Sequence, residues 1–151
     1  MDTGRGHWPI TALLLVTGWI AAGTARAQIF DAGDLSGQEL FGRYCSACHG
    51  PEARGDGPVA ATLRMAPPNL RLLSRRNDGE FPAARVRQMI DGRAMSGAHG
   101  TREMPIWGYE FWVEEGADAT AEREARKIID RLVEYLESIQ DEGPPRGIRI
   151  R

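Results

Sequence analysis

The sequence predicts an all-α domain, and three observations carry that expectation. A sustained apolar repeat at three- and four-residue steps fills the stretch from about Thr120 to Ile139. A complete helix-start signal opens at Ser36, and no convincing strand appears anywhere along the chain. At 151 residues, one compact domain is the default.

The first 27 residues stand apart from that domain. Met1 to Trp8 carry one acid and one base, Asp2 and Arg5, and a mostly apolar run of 13 residues follows from Ile10 to Ala22. Ala25-Arg26-Ala27 then offers the small residues a signal peptidase needs. The apolar run is short for a membrane span and is interrupted by Thr17 and Gly18. Residues 1–27 therefore read as a secretory signal cleaved after Ala27, with export to the periplasm and Gln28 as the new N-terminus. An uncleaved membrane anchor is the alternative. Nothing later is apolar enough to span a bilayer, so no stable membrane span is expected after cleavage. Residues 28–34 read as a flexible leader, 35–142 as the domain and 143–151 as a disordered tail.

Within the domain, Ser36 can cap free helix amides while Glu39 reaches back, and Leu35 can pack on Leu40. Phe41, Tyr44, Cys45 and Cys48 continue on one face, and the helix should stop near His49-Gly50-Pro51. A Gly- and Pro-rich stretch to about Gly79 follows, mostly irregular, with some helix around Val59 to Arg64. A loop that long inside a compact domain calls for a reason, and wrapping a cofactor supplies one. Phe81-Pro82 opens a second helix, with proline in its first turn, an apolar stripe of Val86, Met89 and Ile90, and Gly92 as its stop. A further loop runs from Arg93 to Trp107, then a short aromatic piece with Tyr109, Phe111 and Trp112. In the last helix Ala125, Ile128, Ile129, Leu132, Leu136 and Ile139 form the stripe, and Gly143-Pro144-Pro145 ends it.

Net charge is −2, but it is segregated. Eight arginines face three acids from Arg64 to Arg102, and twelve acids face four bases from Glu103 to Glu142. This is either ordinary solvated surface or a dipolar field that orients partners. Nucleic acid is excluded as a partner, because the net charge is negative and no basic cluster is interleaved with aromatics.

Cys45-Ser46-Ala47-Cys48-His49 is the strongest chemical signal. Two thiols three positions apart on a helix can reach the two vinyl groups on one side of a porphyrin, and the adjacent histidine then sits under the iron. Structural zinc would want four ligands, and there is no second cysteine pair. A thioredoxin-like pair belongs in a βαβ setting that this chain lacks. One covalently bound haem c is therefore the expected cofactor. It would also supply core surface that a small domain with only two cysteines otherwise lacks.

Gly37-Gln38-Glu39-Leu40-Phe41 with Tyr44 and the Cys45–His49 motif resembles the N-terminal helix of the class I cytochrome c family. Pro68-Asn69-Leu70, Met104-Pro105 and Leu132-Val133-Glu134-Tyr135-Leu136 resemble its later landmarks, in the right order and across nearly all of the mature chain. Asp91-Gly92-Arg93 and the stretch His99 to Gly108 resemble a bacterial monohaem subset. The resemblance implies crossing first and last helices with loops wrapping one haem. It makes His49 and Met104 the iron ligands, and it places the Pro68 carbonyl as acceptor for the proton on His49 Nδ1. Pro68 lies nineteen residues past His49, so the loop between them must bulge.

Among the other methionines, Met89 belongs to an apolar stripe and Met65 to core or loop packing, while Met95 shares the distal loop with Met104. His99 would give a bis-histidine iron as ligand, and a loop-shaping hydrogen bond is the preferred role. Trp107 and Trp112 are expected to pack on the haem edge or under the last helix. The function expected is single-electron transfer between a redox protein donor and acceptor, with no catalytic residues and no enzymatic activity. The chain would be a monomer or a dedicated haem subunit of a periplasmic oxidoreductase complex. A haem sensor or peroxidase-like protein would need an open iron position.

Overall fold

The structure is a computed structural model and describes Met1 and residues 32–94 and 103–141. Five α-helices run in order: α1 Gly37–Tyr44, α2 Ser46–His49, α3 Ala83–Asp91, α4 Trp107–Glu114 and α5 Ala119–Ser138. Short 3-10 turns lie at Ala32–Asp34, Ala60–Thr62 and Leu70–Leu72, and no strand occurs among the described residues. The expected signal, leader and tail segments lie outside the described residues, apart from Met1 and residues 32–34.

Local chemistry sets the helix starts. The Ser36 hydroxyl accepts from the Glu39 amide at 3.3 Å, and the Glu39 carboxylate accepts from the Ser36 amide at 2.8 Å. This is the reciprocal capping expected of the pair. Asp118 caps α5 by accepting from the Thr120 and Ala121 amides at 2.7 and 2.8 Å. Gly92 closes α3 in the left-handed conformation, φ 71°. Pro82 sits just before α3, as its cap residue, rather than in its first turn.

The first helix is not continuous. It breaks at Cys45, where φ is −115°, and resumes as α2. The Ser46 hydroxyl donates to the Gly42 carbonyl at 2.6 Å and so competes for the helix acceptor at the break. Such back-bonding bends helices.

α5 is the spine of the fold. It packs against α1, α3 and α4, burying Ala125, Ile128, Ile129, Leu132, Val133 and Leu136 against Leu40, Phe41, Val86, Ile90 and Phe111. In α3 only Val86 and Ile90 join the core; Met89 is 41 % exposed. Met89 follows Val86 by three positions, on the side away from Ile90, and so falls on the flank of a narrow stripe.

Where α1 crosses α5, the Phe41 and Tyr135 rings meet at 5.5 Å. Gly37 rests directly on the helix backbone there: a Cβ at Gly37 would collide with the Arg131 carbonyl oxygen and come within 2.8 Å of Tyr135 Cβ. Backbone cannot yield as a flexible side chain can. Gly37→Ala should therefore destabilise the protein by about 1–3 kcal/mol, the usual cost of overpacking. Denaturant unfolding of the haem-loaded protein checks it, with Gly42→Ala as the control because nothing lies within 4 Å of a Cβ there.

The charge blocks of the sequence are partly folded together. Arg71 pairs with Asp141 at 2.7 Å, Arg87 with Asp130 at 2.6 Å and Arg93 with Glu122 at 2.6 Å. Each joins a middle arginine to a C-terminal acid, which weakens the two-pole arrangement suggested by composition.

Candidate functional site

Cys45, Cys48 and His49 lie within one turn at the break between α1 and α2. The Cys45 carbonyl accepts from the Cys48 amide at 3.2 Å and from the His49 amide at 2.9 Å. Both cysteines are free thiols and partly buried. Burial, reinforced by Cys48, pushes the Cys45 thiol up to about 12. A raised thiol pKa is the opposite of what favours thiolate attack at Cys45. The described residues contain no group of three or more His, Cys, Asp or Glu side chains placed to hold a metal ion.

His49 is half-buried at the end of α2. Burial lowers its imidazole pKa, and the Pro68 carbonyl acts in the opposite direction. Nδ1 is enclosed, yet no acceptor around it meets full hydrogen-bond geometry. The Pro68 carbonyl thus approaches the ring without a completed bond.

The nineteen-residue separation between His49 and Pro68 is closed by a loop that folds back on α2. Gly55 donates to the His49 carbonyl at 2.8 Å, Gly57 to that of Cys48 at 3.2 Å, and Val59 to that of Ala47 at 3.1 Å. Leu70 then donates to the Ala53 carbonyl at 2.8 Å, which ties the segment just after Pro68 to the same turn.

Several apolar side chains are left incompletely buried. Leu70, Leu73, Phe81, Met104 and Trp107 are partly buried and pack against the edge of the core. Trp107 stacks on Phe111 at 5.5 Å, and Tyr44, the residue before Cys45, packs edge-on against both rings at 5.5 and 5.1 Å. The Tyr44 hydroxyl donates to the Glu114 carboxylate at 3.0 Å, so α4 is fastened to the residue that leads into the motif. Burial and Glu114 together push the Tyr44 phenol up to about 12. Trp112 packs away from this cluster, with its indole donating to the Asp118 carbonyl at 3.1 Å.

Met104 stands in the segment that enters α4. Met65 is 76 % exposed, contrary to the packing expected of it. Met95 and His99 lie outside the described residues. Two features lie in stretches that carry the resemblance, but their contacts are not readable from it. The Glu103 carboxylate accepts from the Arg64 amide at 2.7 Å and from the Met65 amide at 3.1 Å, and these bonds hold its pKa below the usual carboxylate range. Arg93 bridges Asp91 and Glu122 at 2.8 and 2.6 Å, and Gly108 packs against that ion pair. Arg93 foremost depresses the Asp91 pKa through its hydrogen bond.

Two free thiols three positions apart, an enclosed imidazole nitrogen beside a carbonyl and a rim of half-buried apolar side chains fit a covalently attached haem. Residues 32–122, more than half of the chain, match the family model described as Cytochrome C oxidase, cbb3-type, subunit III. No curated protein and no solved structure gives a match.

Proposed function

The chain belongs to this cbb3-type subunit III family of class I monohaem c-type cytochromes, and on that premise we propose that it is an exported electron carrier with His49 and Met104 as its iron ligands. Membership brings the all-α cytochrome c fold, covalently bound haem c and haem-based electron transfer. Bound haem supplies a one-electron ferric/ferrous couple. One electron enters from a reduced partner and leaves to an oxidised one, with no bond made or broken.

The chain's own residues prepare the site for that couple. Cys45 and Cys48 would hold the group by thioether bonds. The Pro68 carbonyl would take the Nδ1 proton of His49, fixing the tautomer that leaves Nε2 as donor. Met104 offers a soft, neutral thioether, which favours the reduced state and raises the potential relative to bis-histidine ligation. Leu70, Leu73, Phe81 and Trp107 keep water from the site.

The observation that carries this reading is the His49 ring, enclosed beside Pro68 and adjacent to two free thiols. Optical spectra of the oxidised and reduced protein, with and without carbon monoxide, test it. Low-spin spectra in both states and no rapid carbon monoxide binding are expected. Rapid binding by the reduced protein would replace electron carriage with a sensor or peroxidase-like role.

Export is part of the proposal, though the leader lies outside the described residues. Among the described residues no helix is long and apolar enough to cross a membrane. Intact mass of the exported protein should correspond to residues 28–151 plus one haem. A membrane-bound product that keeps residues 1–27 would favour the anchor.

The family description also favours a second role, as a dedicated haem c subunit of an oxidoreductase complex. Size-exclusion chromatography after mild detergent extraction separates the two. A free carrier elutes as a monomer, and a subunit elutes with its complex.

A further inference from the structure

The geometry points to Glu103 as the residue that holds Met104 in place, by fastening the methionine's segment to the strip that leads to Pro68. This rests on the assignment of Met104 as an iron ligand.

Three observations support it. First, the Glu103 carboxylate accepts from two consecutive backbone amides, Arg64 at 2.7 Å and Met65 at 3.1 Å. Charged acceptors make the stronger class of hydrogen bond. Second, the partners lie thirty-nine and thirty-eight positions away in sequence, on the segment that leads within three residues to Pro68. A single side chain therefore joins the strip carrying Met104 to the strip whose carbonyl approaches His49. Third, Glu103 and Met104 are neighbours on one backbone, so a fixed carboxylate limits where the thioether can travel. At its far end the segment is held where α4 begins at Trp107. Without the carboxylate, the amides of Arg64 and Met65 lose their acceptor and turn to water.

An iron–thioether bond is weak and neutral, so its persistence depends on how firmly the chain presents the sulfur. Glu103 is a positioning residue in this sense, acting on the iron only through Met104.

The sign of the potential change separates positioning from simple electrostatics. Deleting a negative charge near the site raises the midpoint potential, because the more positive ferric state loses a stabilising neighbour. Releasing the thioether lowers the potential. Glu103→Ala in the haem-loaded protein should therefore lower it, weaken the sulfur-to-iron band of the oxidised form, and speed carbon monoxide binding by the reduced form about tenfold or more. Glu103→Gln keeps one acceptor oxygen while losing the charge, so it should retain most of the band and bind carbon monoxide at a rate between the two. Glu110→Ala, which removes an exposed acid from α4, should leave the band and the rate unchanged.

Met104→Ala, measured alongside, keeps the two assignments separate. If Met104→Ala loses the band while Glu103→Ala keeps both band and slow carbon monoxide binding, the positioning role is overturned and the ligand assignment stands. If Met104→Ala keeps the band, the ligand assignment itself falls. A raised potential in both Glu103 variants, with the band intact, would reduce Glu103 to a charge effect and overturn the proposal. Should Glu103→Ala not accumulate, Glu103→Gln decides by rate: faster carbon monoxide binding than the wild type supports the proposal, and a wild-type rate overturns it.

Discussion

Alanine at both Cys45 and Cys48 is expected to yield a chain that surrenders all of its haem to acidified acetone, where the wild type keeps it through denaturation. The effect is all-or-none because the two thiols are the only cysteines in the sequence. Without thioether bonds, retention depends on the iron ligands and apolar contact, both of which denaturation abolishes. Stability should fall with it. Leu70, Leu73, Phe81, Met104 and Trp107 are only partly buried against the protein's own core, which leaves apolar surface that a bound haem can cover. Anything bound only by the folded state adds its binding free energy to folding. The double variant should therefore show reduced helicity and a broadened thermal transition, as well as free haem in the extract. Wild-type protein recovered after export with zinc and no haem would overturn the attachment.

Met104→Ala should lower the midpoint potential by a sizeable share of the ~0.8 V range over which axial ligands set haem potentials. It should also open the reduced protein to carbon monoxide. Loss of the thioether removes the ligand that favours the ferrous state. Met104→His should lower the potential too, while keeping six coordination and excluding carbon monoxide, which separates ligand type from ligand loss. If Met95→Ala instead produces the drop and Met104→Ala does not, the sixth ligand is Met95 and electron transfer survives as the function.

The parts of this protein that repeat locally were legible in its sequence. The α5 stripe, the Ser36–Glu39 cap and the Gly92 stop each depend on neighbours within four residues, and each forms as expected. The break at Cys45 is local as well, but it turns on one hydroxyl choosing a carbonyl, a competition that apolar periodicity does not register. Met89 was misplaced because a nine-residue helix at the edge of a small core buries a narrower strip than its composition suggests. The Cys45–His49 motif stood out, and with it covalent haem c, because its residues are consecutive. The contacts of Glu103 and Arg93 and the Tyr44–Glu114 bond did not. Their partners are 29 to 70 residues away, and a lone acid or arginine carries no mark of which distant amide or carboxylate it will meet.

The Asp91–Arg93 ion pair and Gly108 have a consequence for how this chain can change. A Cβ on Gly108 would lie 2.7 Å from both Arg93 Nε and Asp91 Oδ1, so the backbone leaving α3 and the backbone entering α4 adjoin at one point. The two ends of the connection are thereby held together. Doubling the length of such a closed excursion costs only about 0.6 kcal/mol in chain entropy. A change in chain length ahead of Glu103 should therefore cost α3, α4 and the spine they rest on little stability. The closure of α3 on α4 at Gly108 is thus indifferent to the length of chain between them, whereas Glu103 and Met104, tied to the Arg64–Met65 strip and to the edge of the core, must keep their places.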